Sequence, residues 1–516
     1  MKDMKQKLSG FVRGRNFASG VFVVMVICAV VFVNVICTTL TNSLGLFFYP
    51  QRLPDFEISD TFSESFKAAE EKGERVSVTF CMEEEDVKLH STGSYVYETA
   101  QKFKEKYGDF VTLRYVNLVT MYDSDGNDVS EELEIYKKDM RGNEQTVAKS
   151  SVIFRSGDRY KVVTDYTSSV GYVDFFTLDS SGYVTSYVGE EMFASMMRWV
   201  LKDEHPVAYF TVGHGETASP SLRTALICAG YYVEQINLRD KTISASDMMK
   251  KLDEAALIVI SNPTSDFEKA AEGSGIPTAE LSLLDYYAEG GGSFFVTVDP
   301  YVNEQKMKNF FGFLRDFGIE MLDHEEDGRT VRQTIQDLTN GLPTDSFALV
   351  TEFGADARSQ QMMEILGDKR VILRDVSPLK LSGKALPVLL TSEDSKCYAN
   401  GKVVDESGSY AVAAYSESVS QTGKTSEIFF IPSIYLTATD AMVTNGYGNK
   451  DFVYSIFDVL YGAEDMPYGT NSIVYDDTVL ENLTMGTAKA ITAVLLVIPV
   501  VVAATGAVVL IRRKNR

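Results

Sequence analysis

Two long stretches of this chain contain no Asp, Glu, Lys or Arg, one between Arg15 and Arg52 and the other between Lys489 and Arg512. The first holds the apolar run Phe17 to Leu40, 24 residues, and the second is Ala490 to Ile511, 22 residues. A helix spans the hydrocarbon core of a bilayer with roughly 20 residues. No water satisfies backbone groups at that depth, so both segments are predicted as helices throughout. Asn34 is the awkward side chain of the first, and packing against another helix or an interface is its expected role. A cleaved signal peptide has a shorter apolar core, about 7–15 residues, so the first run reads as a retained anchor.

The flanks set the orientation. Lys2, Lys5, Lys7, Arg13 and Arg15 precede the first run, and Arg512, Arg513, Lys514 and Arg516 follow the second. Basic residues stay on the cytoplasmic side. The expected layout is a cytoplasmic tail 1–16, a span 17–40, an extracytoplasmic region 49–489, a span 490–511 and a second cytoplasmic tail 512–516. These tails take nine of the 49 basic residues and one of the 72 acidic ones, leaving 40 basic against 71 acidic outside, a net charge of −31. A surface so acidic argues against nucleic acid and against docking on anionic headgroups, both of which need positive charge.

Cys28 and Cys37 fall in the first span, and Cys81, Cys228 and Cys397 lie outside it, each in or beside an apolar stretch. An odd, scattered trio is no disulfide framework and suits small buried hydrophobes. At 441 residues the exterior exceeds one core and is expected to divide. In its first part, 49–188, RVSVTFCM (75–82) and FVTLRYVNLV (110–119) read as strands around a helix at Tyr95 to Tyr107. A hairpin at 151–163 turns at Ser-Gly-Asp, and GEEMFASMMRWVLK (189–202) reads as a bridging helix.

In the second part, 189–461, near-continuous apolar strands alternate with helices. VAYFTV (207–212) leads through GHGE to a helix at Leu222 to Ala229 closed by Gly230, and YYVEQINL returns as a strand. AALIVIS (255–261) precedes a helix at Thr278 to Ala288, and GSFFVTVDP (292–300) precedes one at Asn303 to Phe317. This is the pattern of a doubly wound α/β domain, a parallel sheet covered on both faces. Beyond Ile319 the pattern weakens into strand candidates at 347–351, 371–373, 385–391, 411–415 and 427–431, read as packing on that domain. A helix at Lys450 to Leu460 and a linker at 462–489 complete the exterior.

Several of these segments together resemble the GldG-like, membrane-anchored auxiliary components of ABC transporters. The carriers are VAYFTVGHGE (207–216), DYYAEGGGSFFVTVDP (285–300), LPVLLTSEDS (386–395), GNKDFVYSIFDVLYG (448–462) and the final helix ending in RRKNR. The chain departs from the family at FFIPSIY (429–435), where an acidic motif is usual. The resemblance implies a non-enzymatic partner of a transport complex whose permease and ATPase are separate chains, and a domain with an amidotransferase-like outline. No G-x-x-x-x-G-K-[ST] loop is present to cradle phosphates, and no cofactor is expected.

Three residues form the best site candidate. The turn Gly213-His214-Gly215-Glu216 follows a parallel strand and precedes a helix, where open α/β sheets place ligands. Asp299, at the end of a later strand, falls on the same edge. His214 and Glu216 would suit a base and its orienting acid in a hydrolase, a metal pair lacking a third ligand, a contact for a solute or partner, or a structural turn, which is the reading favoured. On that reading His214→Ala leaves folding nearly unchanged. Gly290-Gly291-Gly292 follows a helix, so it reads as a helix end rather than a phosphate loop. Asp123, Asp125, Asn127, Glu131 and Glu134 fit the 1, 3, 5, 9, 12 spacing of a calcium loop. Asp128 stands where such a loop wants glycine, which favours a solvated acidic hairpin.

The topology has a direct test: a membrane-impermeant thiol reagent is expected to label a Cys introduced between Gly462 and Gly486 in intact cells, and to miss one introduced after Lys514. The reverse pattern sinks the two-anchor layout.

Overall fold

The computed structural model of the chain describes residues 56–475 apart from 91, 165–172, 179–181, 271–278, 327–328 and 463–464. The predicted spans 17–40 and 490–511, both tails and part of the linker 462–489 lie outside the described residues. Among the described residues no helix is long and apolar enough to cross a membrane.

The first layer is a five-stranded sheet. Its strands β1 (Val76–Phe80), β2 (Val111–Asn117), β3 (Val152–Ser156) and β4 (Arg159–Val163) run in the order β2-β1-β3-β4, with Tyr122–Asp123 pairing outside β2. β1 and β2 are parallel because helix α1 (Gly93–Tyr107) carries the chain back between them. α1 buries Val96, Ala100 and Phe103, the stripe at one helical face. Gly157, at φ +60, makes the tight turn between β3 and β4. Helix α2 (Gly189–Trp199) follows, with every residue buried.

The second sheet begins with β5 (Val207–Thr211), helix α3 (Pro220–Ala229) and β6 (Tyr232–Ile236). Helix α4 (Ala245–Glu254) then leads to β7 (Ala255–Ser261), α5 (Glu280–Glu289), β8 (Ser293–Thr297) and α6 (Lys308–Asp316). These strands are parallel, in the order β6-β5-β7-β8. Alternate residues of β7 face opposite sides and both sets are buried. Ile258 and Ile260 join Met248, Leu284, Phe310 and Leu314 of α4, α5 and α6 in one core. On the other face Phe295 meets Phe457 at 5.8 Å between ring centroids. Gly230, at φ +101, ends α3, and Gly291, at φ +86, follows the end of α5, as their positions predict.

The chain beyond Ile319 joins this sheet instead of packing on it. Strands β9 (Ile319–Met321), β10 (Leu379–Leu381), β11 (Ala411–Val419) and β12 (Thr425–Ile431) extend it as β8-β12-β11-β10-β9. β12 is parallel to β8, and β11, β10 and β9 are each antiparallel to their neighbour. The β11–β12 connection is a short turn through Gly423, which only an antiparallel pair allows.

Helix α7 (Asn449–Tyr461) gathers the parts. Asn449 accepts from the Ile372 amide at 2.9 Å and donates to the Ile372 carbonyl at 2.8 Å. Lys450 donates to Glu191 of α2 at 2.8 Å and to the Thr470 carbonyl at 2.8 Å. Asp451 takes the Lys369 ammonium at 2.9 Å and the Gly469 amide at 3.0 Å. Tyr454 donates to the other oxygen of Glu191. Lys450→Ala would leave the Glu191 carboxylate buried without its cation. Its expected cost is about 3–5 kcal/mol in urea unfolding of the purified full chain. Lys450→Met combined with Glu191→Gln is expected to recover much of that loss, and equal losses in the two variants would refute the pairing.

Candidate functional site

The parallel strands follow the order second-first-third-fourth, so the direction of winding reverses between β5 and β7. Ligands of open α/β sheets bind outside the carboxyl ends of strands at such a reversal. The GHGE turn leaves β5 at this point, and Asn262 follows β7. Here the gap is closed by hydrogen bonds. The His214 carbonyl accepts from the Thr264 amide at 2.8 Å and the Ser265 amide at 3.0 Å, and Thr217 donates to the Ser261 carbonyl at 3.0 Å. Asn262 holds φ +52, a conformation asparagine tolerates better than most residues. Its side chain donates to Thr217 Oγ1 at 2.8 Å and accepts from the Asp299 amide at 3.1 Å.

His214 is 1 % exposed. Its ring stacks on Phe267 with 3.8 Å between centroids. Nδ1 lies 2.9 Å from Glu216, whose other oxygen accepts from the His214 amide at 2.6 Å. Nε2 lies 2.9 Å from Glu280 Oε1, off the line of a hydrogen bond and therefore an ion-pair contact. Arg239 meets the same Glu280 oxygen at 2.9 Å and donates to the carbonyls of Gly213 and Asp266 at 3.1 and 2.8 Å. The Asp266 carboxylate in turn accepts from the Asn309 and Phe310 amides at 3.1 and 2.9 Å, capping α6. A Cβ on Gly215, which holds φ +74, would meet Thr264 Oγ1 at 2.2 Å.

Burial alone would pull the His214 pKa down, but the two carboxylates outweigh it and the net shift is upward. Burial would raise Glu216 and Glu280, yet the imidazole and nearby amides hold both below the usual carboxylate value. These contacts give His214→Ala a larger expected cost in folding than the sequence reading assigns it. Both ring nitrogens neutralise carboxylates that are otherwise sealed from water.

Asp299 lies elsewhere on the same edge. With Thr217, Ser219, Ser261, Arg374 and Tyr435 it lines a cleft of about 480 Å³ that His214 does not reach. A second cavity of about 550 Å³ adjoins, sharing Tyr301 and Asp375. Tyr301 and Ile434 stand 65 % and 45 % exposed at the cleft. Its two serines are committed to the fold: Ser219 Oγ accepts from the Ser221 amide, capping α3, and Ser261 Oγ donates to the Thr217 carbonyl at 3.1 Å. No histidine or cysteine is among the cleft's described lining to activate them.

The acidic loop is a pair of matching turns. Asp123 accepts from the Asp125 and Asn127 amides at 3.0 and 2.8 Å and from the Asn127 side chain at 3.0 Å. Asp139 accepts in the same way from Arg141 and Asn143, so D-x-x-G-N occurs twice. Glu131 and Glu134 belong to a short helix, Ser130–Ile135, where Glu134 pairs with Lys137. Asp123, Asp125, Asn127, Glu131 and Glu134 therefore show the spacing of a calcium loop without its arrangement. Among the described residues no group of three or more His, Cys, Asp or Glu is gathered to hold a metal ion.

No family model matches the chain, and no curated protein matches it. Solved structures similar to it include the mmIFT52 N-terminal domain, 14 % identical over 50 % of this chain and 98 % of that one, at a TM-score of 0.37. Cytoplasmic protein STM3548 from Salmonella typhimurium is 12 % identical over 49 % and 98 %, at 0.30. PurLQS from Thermotoga maritima is 14 % identical over 50 % and 100 %, at 0.27. These likenesses are too slight to bear on what the chain does, and they leave the transporter-type resemblance as an expectation.

The His214 contribution to stability should be fully present below its unfolded pKa near 6.5 and lost as pH rises through the raised folded value. Those of Glu216 and Glu280 are present above 4.5 and lost as pH falls through their lowered values. Melting temperatures of wild type and His214→Gln should therefore differ most between about pH 5 and 6.5 and converge on the alkaline side. A difference that stays constant from acid to alkaline pH would contradict a charged His214.

Proposed function

We propose that the chain is a non-enzymatic accessory subunit of an ABC-type transport complex. On this reading it is fixed by a helix at each end, with both termini cytoplasmic and residues 49–489 outside the cell membrane. Its α/β body, of amidotransferase-like outline, contacts the permease and ATPase assembly or its cargo. Residues 49–188 and 189–461 then serve as its two extracytoplasmic parts. The observation that carries this reading is the state of His214, the histidine best placed for chemistry, which has both ring nitrogens against buried carboxylates. What remains open at the carboxyl edge is the Asp299 cleft, with exposed Tyr301 and Ile434 at its rim and its serines already bonded. Such a surface suits recognition better than bond-breaking.

The test is purification of the intact chain in mild detergent followed by identification of what accompanies it. An ABC ATPase and a multi-span permease are expected to co-purify, and the isolated chain is expected to hydrolyse no ATP. Tyr301→Ala is expected to weaken the association while leaving the melting temperature unchanged. ATPase activity in the pure single chain, or repeated isolation without any transporter subunit, would overturn the reading.

A further inference from the structure

A third cavity, about 460 Å³, lies between the first layer and the helices beside it, lined by β4, α2 and α3 among others. Two cations line it, Lys161 on β4 and Arg223 in the first turn of α3. Among the described residues neither has an ion pair or a hydrogen bond to its charged end. Asp139 and Asp174 act on Lys161 through space, but among the described residues no carboxylate pairs directly with either cation. Besides Asp174, the acids of the same cavity make their direct bonds elsewhere. Asp139 accepts amides of its own turn, Glu144 pairs with Lys138 and Glu234 with Arg141.

Lys161 is held in place by ring faces rather than by a counter-charge. Its ammonium lies 4.3 Å from the Trp199 ring centroid and 5.5 Å from that of Tyr232. His205, stacked on Trp199 at 3.8 Å between centroids, has its pKa pulled down to about 4, first by burial and then by cations including Lys161. It is therefore neutral and adds no charge to be compensated. Across the cavity Met192 and Met196 of α2 are 3 % and 0 % exposed and form an apolar wall.

We propose that this cavity binds a small organic anion, its head between Lys161 and Arg223 and its apolar body against Met192, Met196 and Ile227. The head supplies the direct ion pair that neither cation makes, and Arg223 offers a planar fork suited to carboxylate or phosphate. The thioether side chains adapt to apolar bodies of varied shape. Burial also draws the Lys161 pKa down to about 8, so the amine is charged at neutral pH yet gives up its proton more readily than a surface lysine.

Pyridoxal 5′-phosphate, an anionic aldehyde with a flat apolar ring, probes the cavity in the purified full chain. It forms an imine with a lysine amine, releasing water, and borohydride then reduces the imine to a stable amine that peptide mapping locates. Lys161 is expected to be labelled well ahead of Lys250, whose side chain is 73 % exposed. Benzoate and inorganic phosphate serve as competitors. Protection by benzoate alone assigns a carboxylate head, protection by phosphate alone a phosphate head, and protection by both a site that accepts either. Arg223→Gln, a change at an exposed residue, is expected to leave the melting temperature unchanged and to weaken protection about tenfold, as loss of one charged hydrogen bond does. Labelling of Lys161 no faster than Lys250, or protection by neither anion, would overturn the proposal.

Discussion

The Lys450 ammonium sits where three parts of the fold would otherwise drift apart. Its helix, α7, packs on one face of the large sheet, Glu191 belongs to the helix that follows the first layer, and Thr470 lies on the chain returning from α7. Hydrophobic contact alone would let these surfaces slide, because apolar burial is not directional. One buried charge with fixed partners admits one register. Replacing such a pair by apolar residues of similar volume is often neutral in stability, so its value here is argued as specification of the arrangement. Asn449 and Asp451 act at the same point, tying α7 to the strand at Ile372 and to Lys369. Three successive polar residues on a buried helix are thus its most constrained positions.

The same logic shapes the carboxyl edge. At the winding reversal an open sheet leaves a gap, and a chain can fill it with ligand or with itself. This one uses His214, Glu216, Glu280 and Arg239, two cations and two anions, so the network is neutral when the imidazole is protonated. Arg239 spreads the constraint to the Asp266 loop, and Asp266 caps α6, so the network ties the β5 turn to α5 and α6 on one face of the sheet. Closing the reversal point displaces the accessible groove toward β8 and β12, where Asp299 and Tyr435 stand.

Much of this is legible in the residues once period and charge are read together. The parallel strands show as continuous apolar runs because both faces are covered. Glu280 precedes Leu283, Leu284 and Tyr287 at helical spacing, and Lys450 precedes Val453, Tyr454 and Phe457 likewise, so each charge stands on an apolar stripe that packing must bury. That signal identifies a buried ion but not its partner, since Glu280 meets His214 only through the fold. Helix α4 escapes the pattern because Met248 and Leu252 alone are buried on it. After Ile319 the strand candidates at 347–351, 371–373, 385–391, 411–415 and 427–431 each fall on a strand, whereas Ile319–Met321 and Leu379–Leu381 escape because three residues are too few for alternation to show. The calcium-like spacing has a second source: an aspartate that gathers the amides of its own turn needs the same Asp, Gly and Asn that a cation loop uses.

Helix α3 joins the two polar cavities that remain open. Ser219 caps it and lines the Asp299 cleft, and Arg223, one turn on, lines the cavity of Lys161. The first turn of α3 is therefore a wall common to both. Pro220 fixes its entry, since proline holds φ near −65° at the first helical position, and Ser221 bonds Thr439 beyond it at 3.2 Å. The turn is therefore anchored at its start by its cap, its proline and the bond to Thr439. The two cavities thus share one rigid wall, the N-terminal turn of α3.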